Sequence, residues 1–244
     1  MKNHILLSLG IVFIGCEVTE LKDPTIAIPS SEVISLVAID ANFNLLTGKQ
    51  TLLADSNSMC LIKVLLESKS DGAEEIVFST TAGLLTTVGQ ALSATSKNTL
   101  TLTPSDRELV IQLNTLDLPY KNVLVSATSG KISAVLEFTF STAYATNFQV
   151  IPQNAAVLKT EEVEFTVMAF VEQGTMSENQ YMKISTTADD GILLNHLQFV
   201  KIVNQKATFK VLNKTKSAGK ATVTFELPTS SENTVKKKVV IIYN

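Results

Sequence analysis

The stretch Ile76-Val77-Phe78-Ser79-Thr80-Thr81-Ala82-Gly83-Leu84-Leu85 decides how this chain reads, because its pattern returns 106 residues later. The second copy runs Met182-Lys183-Ile184-Ser185-Thr186-Thr187-Ala188, then Gly191 and Ile192-Leu193-Leu194. Each copy is a short apolar run, a Ser-Thr-Thr-Ala element, a Gly and a second apolar run. A spacing of this size is the length of one small β-domain.

Outward from the repeat the same parallel holds. Cys60, Ile62, Val64 and Leu66 alternate with other residues, and Val163, Phe165, Val167 and Ala169 do so at an offset of 103. Period two is the signature of a half-buried strand. Downstream, residues 109–113 match 207–211, residues 123–125 match 221–225, and each half closes on a further strand at 132–140 or 235–243. That gives six or seven strands per half. No stretch of eleven or more residues combines a three-four apolar spacing with a cap and a C-terminal Gly, so almost no helix is expected beyond an N-terminal signal. The expected fold is all-β: two tandem immunoglobulin-like β-sandwiches, at residues 33–141 and 142–244, with the strand order within each left open. Residues 141–146 between them hold neither Gly nor Pro, and so short a junction implies a semi-rigid rod.

The runs IVFSTTAGLL (76–85), LADSNSMCLIKVLL (53–66) and SAGKATVTFEL (217–227) resemble the bacterial Ig-like domains of invasin and intimin adhesins. In that family a strand leads into a threonine-rich "STTAG" turn, and a late "AG-x-A-x-V" strand closes the sheet. The first half departs from the late motif, with Tyr120-Lys121-Asn122-Val123, and the second has Ala188-Asp189-Asp190-Gly191 in place of Ala-Gly. The resemblance implies a spacer or adhesive role. Family adhesins carry an outer-membrane barrel and a distal receptor-binding module, neither of which is recognisable here, so recognition would fall to the two domains themselves.

The N-terminus reads as an address. Lys2, an apolar run at 5–14 and then Gly15 and Cys16 follow the order of a secretory signal too short to span a bilayer. Phe13-Ile14-Gly15-Cys16 resembles a lipoprotein lipobox with Phe13 where Leu is usual; ordinary signal cleavage is the competing reading. The expectation is a signal peptide at 1–15, lipidation of Cys16, and a lipid-anchored linker at 16–32. At about 3.3 Å per residue that linker reaches roughly 50 Å when extended. At about 0.8 kcal/mol per buried methylene, two or three acyl chains anchor permanently. The expected location is the bacterial cell envelope, at the outer membrane, with the surface or periplasmic orientation open.

A net charge of −3, or −4 once Lys2 leaves with the signal, lacks the electrostatic footprint of a nucleic-acid binder, so no DNA or RNA partner is expected. With Cys16 lipidated, Cys60 has no intramolecular partner, and no disulfide framework forms. No cofactor is expected. The protein or glycan partner is unknown.

Candidate sites are few. The mature chain has one histidine, His196, with no recognisable nucleophile or orienting carboxylate, so it reads as a surface or strand-edge residue. Cys60 reads as an inert core thiol, with Val163 in the equivalent place. One cysteine and one histidine are too few for zinc. Asp189, Asp190 and Gly191 form a polar turn or, with Glu172 or Glu178, offer oxygens to calcium. The segment from Asp40 to Asn44 is similarly a turn before it is a site. Lys236, Lys237 and Lys238 lie in the last strand, as edge protection or as a patch for anionic polysaccharide or lipid headgroups. Asn213-Lys214-Thr215 matches a glycosylation sequon, irrelevant in a bacterium. Glu74-Glu75 and Glu161-Glu162 are adjacent on strand-like segments and point to opposite faces, so neither pair can flank one glycosidic bond. The absence of Trp and an aromatic share of 6% argue against a stacking platform for sugars. The chain therefore reads as a non-enzymatic adhesion or structural module, or alternatively as an accessory subunit of an envelope assembly.

Overall fold

The computed structural model describes residues 32–68, 75–90, 92, 96–103, 108–130, 132–195 and 199–244. Cys16 with its signal and most of the linker, His196 and Glu74 lie outside the described residues.

Seventeen strands and no helix occur among the described residues. In the first half these are β1 (Glu32–Ile39), β2 (Gln50–Ala54), β3 (Met59–Ser68), β4 (Ile76–Thr80), β5 (Leu84–Thr87), β6 (Thr99–Leu102), β7 (Glu108–Asn114), β8 (Tyr120–Ser129) and β9 (Ile132–Thr142). The second half has β10 (Asn147–Ile151), β11 (Asn154–Val157), β12 (Glu162–Phe170), β13 (Tyr181–Ala188), β14 (Phe199–Lys201), β15 (Lys206–Leu212), β16 (Gly219–Pro228) and β17 (Thr234–Tyr243).

Four sheets pack as two sandwiches. A sheet ordered β1-β3-β7-β5 faces one ordered β2-β9-β8-β4-β6, and β10-β12-β15 faces β11-β17-β16-β13-β14. Alternation builds each core. Val163, Phe165, Val167 and Ala169 of β12 point inward, as do Ala221, Val223, Phe225 and Leu227 of β16. Phe165 stacks on Phe209 at 5.7 Å and meets Phe225 edge-on at 5.5 Å, so rings from both sheets interlock. In the first sandwich Phe78, Phe138 and Phe140 hold the corresponding space.

The halves carry nine and eight strands rather than six or seven, because short pieces at the sheet edges count as well. Each N-terminal segment divides between two sheets. After β1 pairs with β3, β2 crosses to lie parallel to β9; likewise β10 pairs with β12 and β11 lies parallel to β17. In the second sandwich Pro152 sits at the break, where its missing N–H ends the ladder.

The Ser-Thr-Thr-Ala repeat is equivalent in register but not in shape. Ser79 pairs with Ser126 of β8, and Ser185 with Thr224 of β16. In the first copy the strand stops at Thr80, whose hydroxyl donates to the Ala82 carbonyl (2.6 Å). Gly83 then turns with φ +81, where a Cβ would meet the Asn114 carbonyl at 2.5 Å. In the second copy β13 runs on to Ala188, and the extra Asp189 and Asp190 carry the turn further out.

Among the described residues the second sandwich also has no strand in the place of β5. Residues 192–195 meet β15 through one bridge, and the Asn195 carboxamide substitutes for a strand: it donates to the Lys210 carbonyl (2.9 Å) and accepts from Leu212 N–H (2.8 Å).

Candidate functional site

The two sandwiches meet through a loop, residues 171–180 between β12 and β13, that laps onto the turn between β2 and β3. Thr175 donates its N–H (2.7 Å) and its hydroxyl (3.1 Å) to the Asp55 carbonyl. Ser177 donates its hydroxyl to the Ala54 carbonyl (2.6 Å) and accepts from Ala143 N–H (2.8 Å). Glu178 N–H reaches the Asp117 carbonyl (2.8 Å), and the Gln180 amide donates to the Ala143 carbonyl (2.7 Å). Ser177 is 1% exposed and Gln180 is buried, so their bonds are shielded from water.

Local sequence explains why the turn receives the loop. The buried Asp55 carboxylate accepts from Asn57 N–H (2.9 Å), Ser58 N–H (2.6 Å) and the Ser58 hydroxyl (3.1 Å), which ties residues 55–58 into a fixed shape. Gly174 sits against it with φ +65, where a Cβ would collide with the Asp55 carbonyl oxygen. Two crevices flank Glu178 and Asn179. One of about 240 Å³ lies beside Ser56, Asp117 and Lys201, and one of about 530 Å³ lies beside Leu118, Tyr144, Tyr181 and Pro228. Gln180 borders the second, and its side-chain amide oxygen is buried without a partner among the described residues.

The remaining sequence candidates fall in place individually rather than together. Cys60 is buried in β3, and desolvation pushes its thiol up to about 11, which removes it as a nucleophile at neutral pH. Val163 is buried in the equivalent position of β12. Asp189 directs its carboxylate to Lys220 N–H (2.8 Å). No group of three or more His, Cys, Asp or Glu converges among the described residues. Asp40 accepts from the side chain (2.9 Å) and N–H (2.8 Å) of Asn44 and from Asn42 N–H (2.8 Å). These bonds hold its carboxyl below the ordinary 3.8. Asn213, 0% exposed, donates to the Ser217 carbonyl, which makes it a structural amide.

Glu161 is not on a strand. It sits in the turn before β12, accepting from Leu158 N–H (3.0 Å), while Glu162 pairs with Lys210 at 3.3 Å. The three lysines of β17 divide between two faces. Lys237 lies 5.2 Å from the Phe148 ring centre, along the part of β17 that β11 does not cover, and Lys236 and Lys238 point to the opposite, outer face.

Sequence reasoning passed over Asp55, Gly174, Thr175, Ser177 and Gln180. Their partners at the junction are chiefly main-chain carbonyls, which leave no trace in residue identity.

No family model matches the sequence, and no curated protein matches it. Solved structures do share its fold. The adhesin InvE of Yersinia pseudotuberculosis aligns over 85% of this chain and 58% of its own, with a TM-score of 0.50 and 12% identity. Invasin, described as a bacterial integrin-binding protein, aligns over 86% of this chain and 39% of its own, with a TM-score of 0.55 and 13% identity. The chain thus spans about three fifths and two fifths of the lengths of these two. The fold is an invasin-type bacterial Ig-like fold.

Proposed function

We propose that this chain is a non-enzymatic cell-envelope lipoprotein whose two Ig-like domains, residues 33–141 and 142–244, act as one adhesive or structural interaction module. Cys16 carries the lipid, and residues 16–32 hold the module off the membrane. The observation that carries this reading is the junction: the bonds of Thr175, Ser177 and Gln180 to Ala54, Asp55 and Ala143 couple the sandwiches into a stiff body suited to presentation or spacing. The fold shared with an adhesin and with invasin supports it at the level of architecture.

Two measurements test it. Wild-type and Cys16→Ala proteins are expressed in bacterial cells with a palmitate analogue, and intact cells are probed with an antibody to the second sandwich. Labelling of wild type alone, with the epitope reachable, is expected. An unlabelled wild type sinks the anchor, and a labelled but unreachable one moves the module to the periplasm as an assembly subunit. Small-angle scattering should give one sharply defined separation of the sandwiches; a broad distribution overturns the stiff body.

A further inference from the structure

We infer that the outer face of the sheet β11-β17-β16-β13-β14 binds an anionic polysaccharide, an inference that rests on the interaction-module reading and names its ligand class. Strand alternation puts Lys183 of β13, Lys201 of β14, Lys220 of β16, and Lys236 and Lys238 of β17 on that one face. The single acidic side chain on these strands' outer positions is Glu226, which pairs with Lys236 at 3.2 Å and Lys183 at 3.9 Å. Asp189 and Asp190 lie at the far end, in the turn beside Lys220. Lys201, Lys220 and Lys238 make no ion pair among the described residues. A five-to-one excess of cations stands on one face of a chain whose net charge is −3.

The first sandwich supplies an internal comparison. Registers equate Val77 with Lys183, Thr128 with Glu226, Ser133 with Lys236 and Val135 with Lys238. Its cross-strand row Ser79, Ser126, Val135 becomes Ser185, Thr224, Lys238. The outer face of one sandwich is therefore nearly uncharged where the other is basic, so solubility of an open sheet face does not require these lysines. Edge protection does not account for Lys183 and Lys220 either, since β13 and β16 are interior strands of the sheet.

Two aromatics stand among the cations. Tyr181 and Phe199 are 48% and 64% exposed on the same face, and Phe199 takes the place of Thr101 in the first sandwich. Two of the fifteen aromatic side chains thus stand exposed where sugar rings could lie. Aromatic faces take the apolar side of a pyranose, the Ser185, Thr222 and Thr224 hydroxyls meet its hydroxyl groups, and the lysines meet carboxylate or sulfate. The cations spread over β13, β14, β16 and β17 around Tyr181 and Phe199, which favours a charged chain lying across the face over insertion into lipid.

The test uses the full chain in detergent. Polygalacturonate and dextran sulfate are titrated at low and high salt, beside neutral dextran, anionic phosphatidylglycerol vesicles and a single-stranded oligonucleotide. Binding to both anionic polysaccharides but not dextran is expected, weakening with salt as surface charges are screened. Lys201→Gln/Lys238→Gln, which spares both partners of Glu226, should weaken it at least tenfold with an unchanged melting temperature. Tyr181→Ala/Phe199→Ala should weaken it at constant charge, while Lys206→Gln on the other sheet should not. No binding, binding undiminished in the lysine variant, or binding confined to vesicles or to the oligonucleotide overturns the inference. Each of these leaves the stiff-body reading intact, because scattering tests that separately.

Discussion

Ser177 donates its hydroxyl to the carbonyl oxygen of Ala54 across 2.6 Å, joining residues 123 positions apart and belonging to different sandwiches. The Ser177 hydroxyl oxygen in turn accepts from Ala143 N–H, at the point where the chain passes from one sandwich to the next. One small side chain therefore satisfies two buried main-chain groups at the only covalent crossing. Ser177→Ala strands both, and a buried unsatisfied polar group costs about 1–3 kcal/mol. Denaturant unfolding should show a loss of that size, and scattering should show a wider spread of inter-sandwich distances.

Gly174→Ala attacks the same contact from the backbone side. Its φ of +65 disfavours any side chain, and the added Cβ would overlap the Asp55 carbonyl. The loop must withdraw, at a cost of about 1–3 kcal/mol. The expected outcome is loss of protection from hydrogen exchange at Thr175 and Glu178, with the Phe165, Phe209 and Phe225 core unchanged.

Tyr243 is 1% exposed, and its hydroxyl has no partner among the described residues. Tyr243→Phe removes a polar atom that was paying desolvation without a bond, so stability should stay level or rise by up to about 1 kcal/mol. A clear fall in melting temperature would mean that the hydroxyl is bonded in solution.

Burial raises the Cys60 thiol from 9.0 to about 11 and raises the Tyr243 phenol above 10.0. In both cases the folded state keeps a proton that the unfolded chain gives up first. Stability is therefore complete below about pH 9 and falls from there through the folded values. Cys60→Val, which copies the buried Val163, should flatten the pH 9–11 part of that fall in thermal melts. In the native protein a thiol reagent at pH 7.5 should not react.

Asp40 works in the opposite direction. Its carboxyl is held down chiefly by the Asn44 side chain, then by the Asn44 and Asn42 N–H groups, so the order it gives to the turn is present above pH 3.8 and lost as pH falls through its lower folded value. Carboxyl carbon shifts should titrate below 3.8 in wild type and move up toward the ordinary value in Asn44→Ala, which removes the side-chain bond and keeps the two N–H bonds.

The sandwich cores were legible because burial writes itself as alternation: Val163, Phe165 and Val167 announce β12, and Cys60 announces its place in β3. The Ser-Thr-Thr-Ala repeat was legible as a register but not as a shape, since two additional residues let β13 run on past the point where β4 stops. The lysines of β17 read as one run, yet alternation assigns Lys237 to the inner side beside Phe148 and Lys236 and Lys238 to the outer face. A basic face assembled from four strands has no contiguous motif at all. The junction was the least visible part, because Ala54 and Asp55 receive the loop with main-chain oxygens that every residue type carries.

The parallel pairing of β2 with β9 and of β11 with β17 has a mechanical meaning. Each sandwich closes with an early strand beside its last one, both running the same way, from Gln50 opposite Phe138 to Ala54 opposite Thr142 and from Asn154 opposite Val240 to Val157 opposite Tyr243. Tension along the chain pulls such a pair past each other, so all of its hydrogen bonds are strained together instead of opening one at a time. Each sandwich is thereby built to yield to stretching abruptly and late, in the direction in which a tethered protein would be pulled.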